Sequence, residues 1–288
     1  MARLKDLDTG SAAERRYVAK KFIYLESEED VQILSERWFS DRAERVEFLP
    51  AGDGDGGPGG CTRVVGRVTE DRQAAIEAYG IVDRDSLARE GWWMEFLETD
   101  DAQFDASKPF GEHVIVLRCW EIENYLLHPE VIEEFLSDEQ GRSARALSVV
   151  VDELFGILCC LIPITAADVV LNCEGKRKCP LGFGLGLSYW AIHANVCQHI
   201  EREIERGVAE ELDDVIGQII SFSAGKGHRS LEHWLAQARI VDGKRLIFWL
   251  SNRYKLRAGD IRWHLARLTR DRGKIPEMLD QAVLALVA

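Results

Sequence analysis

The sequence predicts an α/β sheet domain followed by an all-helical domain. Three observations carry this. Four short apolar runs, FIYLE (22–26), VEFL (46–49), YGIVD (79–83) and HVIVL (113–117), alternate with helical patterns in the first part of the chain. Beyond Pro129 only helical periodicity is found. The first and third runs each end in an acid, Glu26 and Asp83. The shift in pattern places a domain boundary near residue 130, with a sheet domain over 1–128 and a helical domain over 129–288 for substrate, dimer or partner binding.

Taking the elements in order, the first run reads as a buried strand. Ser27 then caps a helix, with Asp30 at its third following position acting as the capping-box acid. That helix should reach about Ser40 with Val31, Leu34 and Trp38 on one face. VEFL forms the second strand, and the glycine-rich 52–60 stretch is an irregular loop. A calcium-loop reading of Asp53 and Asp55 lacks the other oxygen ligands and the terminal Glu. A helix over 62–78 leads to the third strand, and a connection with Trp92 and Trp93 leads to the fourth. Glu121–Leu127 (EIENYLL) opens a helical stretch. The remaining helices are expected near 129–137, 143–162, 166–173, 187–206, 209–223, 230–238, 243–252, 259–270 and 275–287.

The composition suits a globular protein, with 288 residues, 46 % apolar and 30 % charged. The longest apolar run, LFGILCCLIPI (154–164), is shorter than the about 18 residues of a membrane span and reads as a buried helix. MARLKDLDTG has no apolar signal core, so a cytoplasmic protein with no membrane association is expected. An odd count of seven cysteines fits reduced thiols. A net charge of −13 argues against a nucleic-acid partner. Two features weigh on the other side. Metal sites need clustered carboxylates, and the segment from Lys244 to Lys274 carries ten Lys or Arg against two acids.

The chemistry-bearing residues are Glu26 and the D-x-D pair Asp83 and Asp85. Ligands of open parallel sheets bind beyond the carboxyl ends of the strands. If the first and third strands are neighbours, these acids project into one crevice. Hard oxygen donors select Mg2+ or Mn2+, which would polarise a phosphodiester and lower the pKa of an attacking water. Glu26 is the carboxylate best suited to orient or deprotonate the nucleophile. The alternative is structural, because an acid after a strand often caps the next helix.

Other features have plainer readings. Cys173, Cys179, His193, Cys197 and His199 lack the regular spacing of a zinc site, so packing cysteines are favoured. GFGLG (182–186) and AGKG (224–227) do not match a phosphate-binding loop. Arg253, Lys255, Arg257, Arg262, Arg267 and Arg270, interleaved with Trp249, Tyr254 and Trp263 and preceded by Lys244 and Arg245, suit a nucleic-acid backbone and splayed bases. They suit salt bridges onto an acidic body, or docking to an acidic partner, equally well.

Three segments carry a resemblance: FIYLESEEDVQIL (22–34), AYGIVDRDS (78–86) and HVIVLRCWEIENYLLHPEVI (113–132), with DGKRLIFWL (242–250) a weaker fourth. They resemble the Toprim nucleases of the overcoming-lysogenization-defect type, and more closely the stand-alone Toprim effectors paired with an ABC-type ATPase in bacterial phage defence. The resemblance implies a four-stranded parallel sheet with helices on both faces. It places the metal ligands at Glu26, Asp83 and Asp85, with Glu121 and Glu123 completing a second position and Lys244 contacting phosphate. Where the family commonly has Gly after its Glu, Ser27 stands here. The implied protein is a toxic Mg2+- or Mn2+-dependent endonuclease held inactive by its ATPase sensor. A phage trigger releases it, it forms a homodimer, and it cleaves host nucleic acid, transfer RNA by implication, to stop translation.

Rival readings are a non-catalytic regulatory subunit of an ATPase complex, a DNA endonuclease, and a D-x-D phospho- or glycosyltransferase. A haloacid-dehalogenase phosphatase is disfavoured, since Glu26 stands on the early strand and Ser86 follows Asp85.

Overall fold

The computed structural model describes residues 20–52, 60–140, 146–256 and 261–287. These residues divide into two compact units that interleave in sequence. One contains the described residues up to Asp83, Lys108–Leu117 and those from Ile275. The other contains Arg84–Ser107 and Arg118–Lys274. The switch from alternating strands and helices to helices alone therefore does not coincide with the limits of either unit.

The first unit is built on a four-stranded, all-parallel sheet. Its strands are β1 (Lys21–Leu25), β2 (Val46–Pro50), β3 (Ala78–Val82) and β4 (Val114–Val116), in the order β2-β1-β3-β4. The inner strand β1 is buried from Phe22 to Leu25, as expected for a strand enclosed by its neighbours and by helices. Tyr24 pairs in register with Gly80 of β3. The helices of this unit are α1 (Glu28–Val31), α2 (Cys61–Gln73) and α13 (Glu277–Val287). This is the parallel sheet flanked by helices that the resemblance implied.

Local chemistry explains two details. Ser27 Oγ accepts the Asp30 N–H at 3.2 Å, so Ser27 is the N-cap the sequence suggested. The helix then widens into a π-turn over Gln32–Trp38, closed by Phe39 N–H to Leu34 O at 2.8 Å, instead of staying regular to Ser40. The wider turn buries Ile33, Leu34 and Trp38 together. Secondly, α2 lies close against β3 because position 80 has no side chain. A Cβ there would meet Val64 Cγ1 at 2.6 Å, with Val114 and Val68 at 3.3 Å. Gly80→Ala is expected to destabilise the chain by about 1–3 kcal/mol through overpacking. Urea titration checks this, and a shift too small to resolve would mean that α2 can retreat freely.

The second unit is helical: α3 (Asp85–Arg89), α4 (Trp93–Phe96), α5 (Asp101–Ser107), a 3-10 turn (Ile122–Leu126), α6 (Pro129–Gln140), α7 (Leu147–Cys173), α8 (Tyr189–Ile204), α9 (Ala209–Ser221), α10 (Leu231–Ala238), α11 (Gly243–Tyr254) and α12 (Ile261–Asp271). The expected break between 162 and 166 is absent. Pro163 lies inside α7, where Ile162, Ile164, Thr165 and Ala166 are all buried, and packing against α6, α8, α9 and α11 holds the helix across the missing N–H. α7 is long and apolar enough to cross a membrane, which the run 154–164 alone did not suggest. Yet 83 % of its most apolar window is buried inside the protein, as in the core helix of a soluble protein.

Candidate functional site

In the sheet unit, β1 and β3 are neighbours, as the crevice argument required. Glu26 and Asp83 stand immediately beyond their carboxyl ends, both half-buried. Glu26 Oε1 accepts the backbone N–H of Asp83 at 3.0 Å. That bond fixes one candidate carboxylate against the backbone of the other. Both acids thus sit where open parallel sheets present their ligand-binding groups.

The remaining candidate acids belong to the helical unit. Asp85 opens α3 with its side chain 14 % exposed. Its Oδ1 accepts from Arg89 Nη2 at 2.8 Å and its Oδ2 from Lys178 Nζ at 2.9 Å. Burial acts to raise the Asp85 carboxyl, but Lys178, Arg89 and Lys244 outweigh it and hold it below the usual carboxylate range.

Glu121 and Glu123 flank the start of the 3-10 turn and are both buried. Glu121 Oε1 accepts the Lys244 N–H at 2.5 Å, at the N-terminus of α11. Its Oε2 lies 3.1 Å from Lys244 Nζ. Burial, then the neighbouring Glu123 and Asp242 charges, push the Glu121 carboxyl well above its ordinary range despite Lys244. Glu123 is completely buried, and among the described residues neither of its oxygens has an aligned hydrogen-bond donor. Its charge is met by Arg262 Nη1 at 2.9 Å and Lys244 Nζ at 3.7 Å.

The motif EIEN and the motif DGKR are joined by Asn124. Its Oδ1 accepts the Glu121 N–H at 2.9 Å, and its Nδ2 donates to the carbonyls of Ala238 and Val241, each at 2.7 Å. A Cβ at Gly243 would meet Asn124 Oδ1 at 2.8 Å, so the glycine permits this approach. Asp242 caps α11 through the Arg245 N–H at 2.8 Å. Two segments far apart in sequence therefore form one hydrogen-bonded corner around Glu121 and Lys244.

The donor set suits a hard divalent cation, being oxygen throughout. Within the helical unit, a buried carboxylate pair with one raised pKa and one carboxylate lacking aligned donors is the kind of charge that Mg2+ or Mn2+ would stabilise. Among the described residues, no three His, Cys, Asp or Glu side chains converge as a metal-holding group.

The basic segment is mostly spent on the acids of its own unit. Arg245 is not a surface residue: at 1 % exposure it pairs with Asp168 Oδ2 at 2.8 Å and donates to the carbonyls of Pro180 and Cys179. This removes it from the candidate nucleic-acid contacts, because a buried guanidinium cannot reach a phosphate backbone. Trp249 is also buried, which removes a stacking platform. Arg253 pairs with Glu153, Arg272 with Glu134, and Lys274 with Glu130. Lys244, Arg253 and Lys255 are the exposed candidate cations, while Arg262 is partly exposed against Glu123. Arg257, Asp53 and Asp55 lie outside the described residues.

All seven cysteines are unbridged. His193 pairs with Asp213 at 3.0 Å and lies 3.8 Å from Cys197 Sγ, His199 packs on Phe183, Cys173 is exposed and Cys179 is buried, so these five do not assemble as a cluster. GFGLG and AGKG are turns between helices.

Sequence reasoning missed three groups: Lys178, the fully buried Arg84 and the Arg245–Asp168 pair. A signal for the last existed. Asp168 is the one charged residue of the apolar stretch 154–173, which calls for a buried partner.

No family model, curated protein or solved structure matches the chain significantly.

Proposed function

We propose that this chain is a metal-dependent Toprim-type endonuclease acting as a toxic effector in bacterial phage defence. The proposed ligands in the sheet unit are Glu26 and Asp83, and the motif resemblance adds Asp85, Glu121 and Glu123. The observation that carries this reading is the placement of Glu26 and Asp83 past the carboxyl ends of adjacent parallel strands, joined by the Glu26 Oε1 to Asp83 N–H bond of 3.0 Å. The motif resemblance supplies the rest: an ABC-type ATPase sensor that restrains the chain, an active homodimer, and host transfer RNA as target.

When bound, Mg2+ or Mn2+ supplies Lewis-acid polarisation of the phosphodiester. The chain's own groups do the positioning. The Asp83 N–H orients the Glu26 carboxylate. In the helical unit the exposed Lys244 beside Glu121 would meet an anionic substrate.

A second reading, a non-catalytic subunit of an ATPase complex, is favoured by one observation. Asp85, Glu121 and Glu123 are already paired with Lys178, Arg89, Lys244 and Arg262. Inducible expression of the wild type beside Glu26→Ala separates the two, with total RNA and genomic DNA run on gels and the ATPase partner and phage trigger supplied. Growth arrest and shortening of a small-RNA band are expected with the wild type only. Cleavage by the purified variant should fall at least about 100-fold, the scale of losing a positioned general base or metal ligand. Equal toxicity of the two proteins, or no cleavage by either, would make Glu26 a structural cap. Degradation of DNA alone would keep the nuclease and reject the RNA target.

A further inference from the structure

Lys178 is the cation nearest Asp85 Oδ2, at 2.9 Å, and it comes from the segment that connects α7 and α8. Arg89, on the other oxygen, belongs to the same short helix as Asp85 and is an ordinary i, i+4 neighbour. Lys178 is different in kind. Its ammonium also lies over the face of Trp120, 5.0 Å from the ring centroid. Its backbone is held by a buried clamp on the next two residues. Asp168 Oδ1 accepts the Cys179 N–H at 2.6 Å, while Arg245 donates to the carbonyls of Cys179 and Pro180 at 3.0 and 2.7 Å. The Arg245–Asp168 pair therefore fixes the chain beside Lys178, while the Lys178 side chain itself remains partly exposed.

An ammonium bonded to a carboxylate oxygen and a divalent cation compete for the same lone pairs. The aromatic face gives the ammonium a second favourable contact, and partial exposure gives it a route out. We propose that Lys178 is an internal counter-cation that holds Asp85 until a divalent metal displaces it. The inference rests on the metal-dependent reading above and adds a regulatory contact to it. The clamp keeps the loop in place, so the exchange needs only the lysine side chain to swing.

The test is calorimetric titration of the full chain with Mn2+, together with tryptophan fluorescence during Mg2+ titration. The proteins compared are the wild type, Lys178→Met, Lys178→Arg and Arg177→Met. Lys178→Met is expected to bind Mn2+ at least about tenfold more tightly, because a competitor at contact distance is gone. Lys178→Arg should stay near the wild type. Arg177→Met removes a neighbouring positive charge without touching Asp85, and its affinity should change by less than about twofold at ordinary salt. Mg2+ should change the wild-type emission as the ammonium leaves Trp120. Lys178→Met should lack that change while still binding the metal.

If Lys178→Met and the wild type bind equally, or if Arg177→Met gains as much as Lys178→Met, the exchange is refuted and the metal site stands. If none of the four proteins binds either metal, the metal-dependent reading falls and the exchange with it.

Discussion

Arg84→Ala is expected to lower the unfolding free energy by about 3–5 kcal/mol, the scale of opening a void at a large buried side chain and leaving buried carbonyls without donors. Arg84 stands between the two acids of the D-x-D motif, yet it has no exposure. Its Nε donates to Phe96 O at 2.8 Å, Nη1 to Arg118 O at 2.9 Å and Nη2 to Glu98 O at 2.6 Å. The guanidinium also lies 4.3 Å from the Phe104 ring centroid. Burial, with Arg239 nearby, pushes it down to about 9, which still leaves it charged at neutral pH. The variant would leave a void and several buried carbonyls without donors. Arg84→Lys should recover only part of the loss, since one ammonium cannot reproduce three donors in a plane. Chemical denaturation of the three proteins measures this. A loss under about 1 kcal/mol for Arg84→Ala would show that water replaces the guanidinium without difficulty.

The second large effect belongs to the Arg245–Asp168 pair. Arg245→Met should cost about 3–5 kcal/mol at neutral pH, because Asp168 is left as a buried, uncompensated carboxylate. Burial already holds the Asp168 carboxyl above its usual range even beside Arg245. Without the guanidinium it rises further, so in the variant the folded-state pKa lies above the unfolded value of about 3.9. The stability linked to such a group is present below the unfolded pKa and is lost as pH rises through the folded one. The defect of Arg245→Met should therefore shrink as pH is lowered from 7 toward 5, measured against the wild type at each pH. The double variant Arg245→Met/Asp168→Leu should be no less stable than the worse single variant, because no unpaired charge remains. A defect independent of pH, with single losses that simply add, would show that packing and not charge dominates at this position.

Both groups show where sequence reading stops. The four strands, most helices and the Ser27 cap follow from period, apolar runs and cap residues, and the structure contains them with small shifts at the ends. Arg84 and Arg245 look like surface residues in sequence, the first between two aspartates and the second next to Lys244. Their burial depends on carbonyls and carboxylates tens of residues away, and no local pattern records those. The same holds for the continuous helix α7. Pro163 predicts a break, and it is burial of the surrounding turns that overrides it.

By itself the sequence determines the parallel α/β beginning, the helical remainder and the acids that end the first and third strands. These follow from side-chain period and strand-end chemistry, which act over a few residues. Tertiary structure alone decides that β1 and β3 are neighbours, that Glu26 accepts the Asp83 N–H, and that Lys178, Lys244 and Arg262 face the remaining acids. Strand order and ion pairing are set by which surfaces are buried together, and a linear pattern of charges does not say which carboxylate each cation will meet.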